Sequence, residues 1–195
     1  TGMNAEGITL TEMGDSPSRE YPYDLNGVHF TTLFRDLLYD ARNLDEAVAM
    51  VKGAKRIKKY HYLIGDGKNK RAVKMLAHAP ALVIWPDNDP KDEVAPNVLE
   101  SVVYNCEGRD PIAWAHLKKY YGHYDADAVI QLSKSVGSLG GNLLDAVYDG
   151  THLELWVAYA HKDECAYRRP YVHLKLKDYL DFSKKPAGAV VVGGK

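Results

Sequence analysis

Two asparagines at turn positions carry the clearest chemical potential in this sequence. Asn4 ends a short first strand within Asn4-Ala5-Glu6-Gly7, and Asn88 follows the apolar run 82–85. Asparagine amides, and backbone N–H groups held at tight turns, are the usual donors of an oxyanion hole. The pair therefore points to acyl-transfer chemistry, although each is also a residue type that turns favour for their own sake. Cys106, in Tyr104-Asn105-Cys106-Glu107-Gly108, has no helix start beside it to stabilise a thiolate and reads as a structural thiol. The chain holds no Gly-x-Ser-x-Gly elbow and no phosphate loop. Gly137-Ser138-Leu139-Gly140-Gly141-Asn142 is glycine-rich, but a strand follows it, so it lacks the amide array of a helix N-terminus.

Metal chemistry has little to stand on. The eight histidines are scattered, with no His-x-x-x-His or His-Glu-x-x-His pair. Asp87-Asn88-Asp89-Pro90-Lys91-Asp92-Glu93 resembles half a calcium loop, without its glycine and final glutamate and with Pro90 interrupting it. No metal and no cofactor are expected. A net charge of -1, from 25 basic and 26 acidic residues, argues against a nucleic-acid binder driven by bulk charge. No run of about 18 apolar residues would span a membrane. Two cysteines exclude a disulfide framework and a cysteine-rich zinc module.

The elements that must position these residues are legible from periodicity. Residues 8–11 alternate as a strand after a turn in which Gly7 takes positive φ. Residues 14–27 read as a loop, in which Tyr21 and Tyr23 could wall an acyl pocket. Phe30, Leu33, Phe34, Leu37, Leu38 and Ala41 form one helical stripe. Asn43 and Glu46 have capping-box spacing before a second helix carrying Ala47, Val48 and Val51. The basic run 52–59 reads as a solvated helix end and loop. Strands over 60–65, 72–76 and 82–85 follow, the first two joined by Asp66-Gly67-Lys68-Asn69. Asp110-Pro111 and Asp125 each open a helix. Strands over 143–148, 153–158 and 171–176 close the pattern, and 183–195 reads as a mobile tail. Paired strands alternate with paired helices. This favours an α+β protein of antiparallel sheets, with 1–182 as a single domain, over a doubly wound parallel fold.

Four segments add a resemblance. Gly2-Met3-Asn4-Ala5-Glu6-Gly7-Ile8 looks like the Gly-Met-Asn-x-x-Gly-Leu hairpin of N-terminal-nucleophile (Ntn) hydrolases. The relevant branches are choloylglycine hydrolase/penicillin V acylase and isopenicillin-N acyltransferase. Tyr62-Leu63-Ile64-Gly65-Asp66-Gly67-Lys68 is similar to their Ile-Gly-Asp hairpin, and Asn88-Asp89-Pro90 to their Asn-x-Pro. Residues 142–149 and 153–158 look like the closing hairpin of the acyltransferase branch. The resemblance covers roughly residues 2 to 160.

It implies a four-layer αββα sandwich and amide hydrolysis or acyl transfer on a small N-acyl substrate. The nucleophile would be an N-terminal Cys exposed by autoproteolysis, with its own α-amine as base. The backbone N–H of Asn4 and the side chain of Asn88 would form the oxyanion hole. The family's nucleophile lies several dozen residues before the Gly-Met-Asn hairpin, so this chain resembles the larger, C-terminal part of such an enzyme, inactive alone. Its partner would be the upstream segment of the same precursor or a second copy of the chain. Two alternatives stand beside this: Thr1 as the nucleophile of a threonine-type member, and a non-catalytic α+β binding domain that retains the fold.

Overall fold

The computed structural model describes residues 1–14, 23–79, 81–91, 101–102, 110–137, 142–180 and 190–192. The chain is mixed α+β with antiparallel sheets, and it divides into two compact units, 1–104 and 105–195.

The first unit is a five-stranded sheet in sequence order: β1 (Gly2–Met3), β2 (Ile8–Gly14), β3 (Tyr60–Asp66), β4 (Arg71–Ala77) and β5 (Leu82–Pro86). All neighbours are antiparallel, with Ile8 opposite Asp66, Asp66 opposite Arg71, and Val73 opposite Pro86. Period-two alternation sends Ile8, Leu10, Tyr60, Tyr62, Ile64, Val73, Met75 and Ala77 to one face, all buried. On that face lie α1 (Phe30–Asp40) and α2 (Leu44–Gly53), which contribute Leu33, Phe34, Leu37, Ala47 and Val51 to the same core. The helical stripe expected from the sequence is the one that is buried.

Local capping explains where these helices start. Asn43 accepts the Glu46 N–H at 2.9 Å, as the capping-box spacing predicts. The reciprocal half differs: the Glu46 carboxylate takes the N–H of Arg42 at 2.9 Å, one residue further back. The basic run 52–59 is also more than a solvated end, because Arg56 within it is only 6% exposed. Its guanidinium donates to the carbonyls of Val51 (2.6 Å), Ala54 (2.8 Å), His78 (2.8 Å) and Ala81 (3.3 Å). It thus closes the C-terminal end of α2 and fastens it to the β4–β5 connection.

The sheet's other face carries Thr11, Leu63, Lys74 and Trp85 in one cross-strand row, with Leu76 and Met13 nearby, none in the helix-covered core. Lys74 is 4% exposed, and its ammonium lies 5.3 Å from the Trp85 ring centre.

The second unit holds α3 (Asp110–Tyr120), α4 (Ala126–Val136) and the sheet β6 (Leu144–Asp149), β7 (Glu154–Tyr159), β8 (Tyr171–Lys175) and β9 (Val190–Val192), again antiparallel and in sequence order. Asp125 caps α4 by accepting the Ala128 N–H at 2.8 Å. Ile130 and Val129 of α4 pack against Val147, Trp156, Ala158 and Tyr171 of the sheet. The opposite face presents Ala146, Val157 and Val172 in one row and Tyr148, Leu155 and Leu174 in the next. Residues 190–192, read as part of a tail, instead form β9, with Val191 opposite Val172. A short helix α5 (Lys177–Leu180) follows β8. Cys106, Tyr21, Ser138–Gly141 of the glycine-rich run, Asp92 and Glu93 lie outside the described residues.

Candidate functional site

One end of the first sheet gathers most of the residues that the sequence singles out. Asn4 ends β1 there, and every group of it that can be followed is engaged. Its Oδ1 accepts the N–H of Glu6 and of Ile8, both at 3.0 Å. Its Nδ2 donates to the Ala41 carbonyl at 2.8 Å, beyond the end of α1. Its backbone N–H donates to the Ile8 carbonyl at 3.0 Å. That N–H is the one the resemblance assigns to an oxyanion. Here it belongs to the turn, which Gly7 completes at φ 79°.

Asp66 mirrors Asn4 from the next hairpin. It is 2% exposed and accepts the N–H of Leu44 at 3.0 Å, the first residue of α2. It also takes the Asn69 N–H at 3.0 Å and the Asn69 side chain at 2.8 Å. Burial works against its charge. The bonds from Asn69 and Leu44, together with Arg71, outweigh burial and hold the carboxyl below its usual range. Asn4 and Asp66 therefore grip the α1–α2 connection from both sides, at Ala41 and at Leu44. Around them Arg71 binds Asp45 through two 3.0 Å contacts, Lys68 pairs with Glu6, and the Gly67 N–H reaches the Gly7 carbonyl at 3.0 Å. Gly65 lies opposite Thr9, where a Cβ would stand 2.6 Å from the Thr9 Oγ1. The Gly-Asp pair of the hairpin motif is thus a packing and clamping device.

Asn88 follows β5 in a turn closed by the Asp89 N–H on the Pro86 carbonyl at 3.3 Å, and it adopts φ 62°. It is exposed. Asn4 and Asn88 share one end of the sheet but flank its two edges. Four strand spacings separate β1 from β5, roughly 19 Å at 4.7–4.9 Å each. The first sheet does not bring the two asparagines onto one oxygen.

Thr1 lies elsewhere again, about 10 Å from Asn4 along β1 at some 3.3 Å per residue. It borders an open cavity of about 460 Å³, lined also by Phe30, Thr31, Phe34, Arg35, Leu38 and Tyr39 on one side of α1. Gly2 lets β1 approach this helix: a Cβ there would meet Leu38 at 2.7 Å. Behind the cavity, Phe30 and Phe34 continue into an aromatic cluster with Tyr60 and Tyr62, at ring separations of 4.7 and 5.0 Å. Glu12 faces the same cluster from β2, and its Oε2 is buried without a hydrogen-bond partner. Burial raises the Tyr60 phenol, and the Glu12 charge adds to the effect. Tyr23 is half exposed near this cluster, but sequence reasoning gave no signal for Glu12, which reads there as an ordinary strand residue.

The second unit has its own polar group. His173 bonds Glu154 at 2.7 Å and stacks in parallel on Trp156 at 4.5 Å, while Lys175 reaches Glu154 at 3.3 Å. Ser133 donates to Asp145 at 2.5 Å. Among the described residues, no group of three or more His, Cys, Asp or Glu side chains could hold a metal ion, and no helix is long and apolar enough to cross a membrane. No family model matches this sequence, and no curated protein is similar to it, so its chemistry rests on the residues themselves.

Proposed function

We propose that this chain is the larger part of an Ntn-type amide hydrolase or acyltransferase. It would act on small N-acyl compounds through a Cys encoded ahead of it. The observation that carries this reading is that each unit is an antiparallel sheet in sequence order with helix packed on one face, α1 and α2 in the first and α4 in the second. The segments that resemble the family fall on β1 and its turn, on β3 and its turn, on the turn after β5, and on β6 and β7. In this reading Asn4 shapes the scaffold through its clamp on Ala41, and Asn88 is the side-chain donor to a developing oxyanion. A second reading has one observation of its own: Thr1 borders the cavity beside α1, which suits a Thr nucleophile facing an apolar acyl group.

The test compares this chain with the full encoded polypeptide in turnover of penicillin V, a bile-salt conjugate and an N-acyl amine. The expected result is activity only with the upstream Cys present. Asn88→Ala in the longer protein should then lower turnover roughly a hundredfold, the scale of one lost oxyanion donor. Activity of the short chain that vanishes on Thr1→Ala would establish the Thr1 reading instead. An encoded upstream region with no Cys, Ser or Thr at a processing site would leave a non-catalytic binding domain.

A further inference from the structure

We infer that Asn26 is a self-modification site. Its side-chain amide converts to aspartate and isoaspartate, and the isoaspartate form releases the loop before α1 from the segment that holds Arg56. This stands independently of the proposed function. Asn26 is the one asparagine in the sequence that glycine follows, and aspartate precedes glycine at Asp66-Gly67 and Asp149-Gly150. Glycine has no Cβ to shield its main-chain nitrogen, so that nitrogen can reach the γ-carbon of the residue before it. At these three dipeptides the backbone can most freely attack a side chain.

The structure closes two of them and leaves one open. Asp66 is buried and tied to Leu44 and Asn69, and the Gly67 N–H sits on the Gly7 carbonyl. Asp149 accepts the N–H of Thr151 at 2.9 Å and of His152 at 3.0 Å, and the His152 ring at 2.7 Å. Burial works against both charges, but the bonds outweigh it and hold both carboxyls below their usual range. An ionised carboxylate resists a nucleophile. Asn26 instead carries a neutral amide and is exposed. The Gly27 N–H rests on the Asp24 carbonyl at 3.0 Å, so one turn bond at the surface must open before the attack.

The step balances with water alone. The Gly27 nitrogen forms a bond to Asn26 Cγ, the Cγ–Nδ2 bond breaks, and ammonia leaves with the Gly27 amide proton. Water then opens the cyclic imide. Opening at the side-chain carbonyl gives aspartate. Opening at the main-chain carbonyl gives isoaspartate, whose backbone runs through Cβ and is one carbon longer. That extra length falls between two anchors: the Asp24 N–H on the Ile57 carbonyl at 2.7 Å and the Val28 N–H on the Lys55 carbonyl at 2.6 Å. There is no slack to absorb it, because a Cβ on Gly27 would already stand 2.5 Å from the Arg56 carbonyl carbon and 2.7 Å from its oxygen. Aspartate keeps the backbone length and adds only a charge, near the Asp24 that Lys55 binds at 3.0 Å.

The experiment holds the folded full chain in mildly alkaline buffer and follows each asparagine by peptide mapping, with isoaspartate read by enzymatic carboxyl methylation. Amide exchange at Val28 is measured on fresh and aged protein, and on Asn26→Asp and Asn26→Gln. The glutamine variant keeps an amide but would have to close a larger ring, which is far slower. Asn26 should convert severalfold faster than Asn43 or Asn69, and Asn26→Gln should form no isoaspartate there. The isoaspartate fraction should exchange the Val28 amide roughly tenfold faster, the scale of one lost hydrogen bond, while Asn26→Asp stays like the fresh parent. Conversion of Asn26 no faster than that of Asn43 or Asn69 would overturn the site. Unchanged Val28 protection in the isoaspartate form, or an equal loss in Asn26→Asp, would overturn the release.

Discussion

Asn4 looks in the sequence like a catalytic donor and in the fold like a clamp. The two roles predict different costs. Asn4→Ala removes the acceptor of two N–H groups and the donor to the Ala41 carbonyl. We expect it to lower unfolding stability by about 2 kcal/mol, the scale of orphaned hydrogen-bonding groups, read as a shift of the urea midpoint. Asp66 adds a pH signature. Its folded-state carboxyl lies below the ordinary value of 3.8, so its contribution is complete above that value. The contribution fades as pH falls below about 4, through the folded value. Stability measured from pH 6 down to 2 should therefore drop less steeply in Asp66→Asn than in the parent, because the variant has already lost the contribution. A parallel decline in both proteins would remove Asp66 from the account.

The turn and cap residues were legible because their signals are local: Asn43, Asp125 and Gly7 act within four residues of themselves. Asp66 and Arg56 were not, because their partners lie 22 residues or more away in part. Asp66 reads as a turn residue and Arg56 as one of a basic run. Only the folded neighbourhood shows that one grips a helix start and the other a helix end.

At the scale of elements, the loop before α1 is fixed by contact with the backbone. A Cβ on Gly27 would lie 2.5 Å from the Arg56 carbonyl carbon and 2.8 Å from the Ile57 nitrogen. Main chain cannot rotate aside as a side chain can. Gly27→Ala should cost roughly 2–3 kcal/mol, within the range of overpacking. It should also free the Val28 N–H, now 2.6 Å from the Lys55 carbonyl, to exchange faster. The strand order of both sheets follows from hairpins in which apolar residues alternate, which is why most strand ends could be read to within a residue or two, β2 running three residues further to Gly14. The β9 pairing could not, since three valines between glycine and proline clusters carry no period of their own.

At the scale of the whole molecule, each unit has a sheet face that lies outside its own helix-packed core. Val157 lies in the centre of one, between Ala146 and Val172, and Leu63 in the other, between Thr11 and Lys74. Val157→Asp and Leu63→Asp each place a charge at a half-buried apolar position, and each should cost about 1–3 kcal/mol. The readouts are chemical denaturation and binding of a hydrophobic dye. Variants that unfold like the parent would mean that these faces contribute nothing to stability. The composition of these faces was visible in the sequence, but their partner was not, because periodicity reports that a face is apolar without reporting what covers it.

Arg56 has one more consequence. The described groups that hold its charge are carbonyl dipoles, with no carboxylate among them. Mobile ions weaken attraction between exposed charges over a Debye length of about 10 Å at 0.1 M salt, but they do not enter a buried cage of peptide oxygens. Raising ionic strength should therefore slacken the exposed Arg71–Asp45 and Lys68–Glu6 links and leave the far end of α2 untouched. The exposed Lys55–Asp24 pair beside Arg56 would slacken too, and the Arg56 cage would be the part of this corner that brine does not reach.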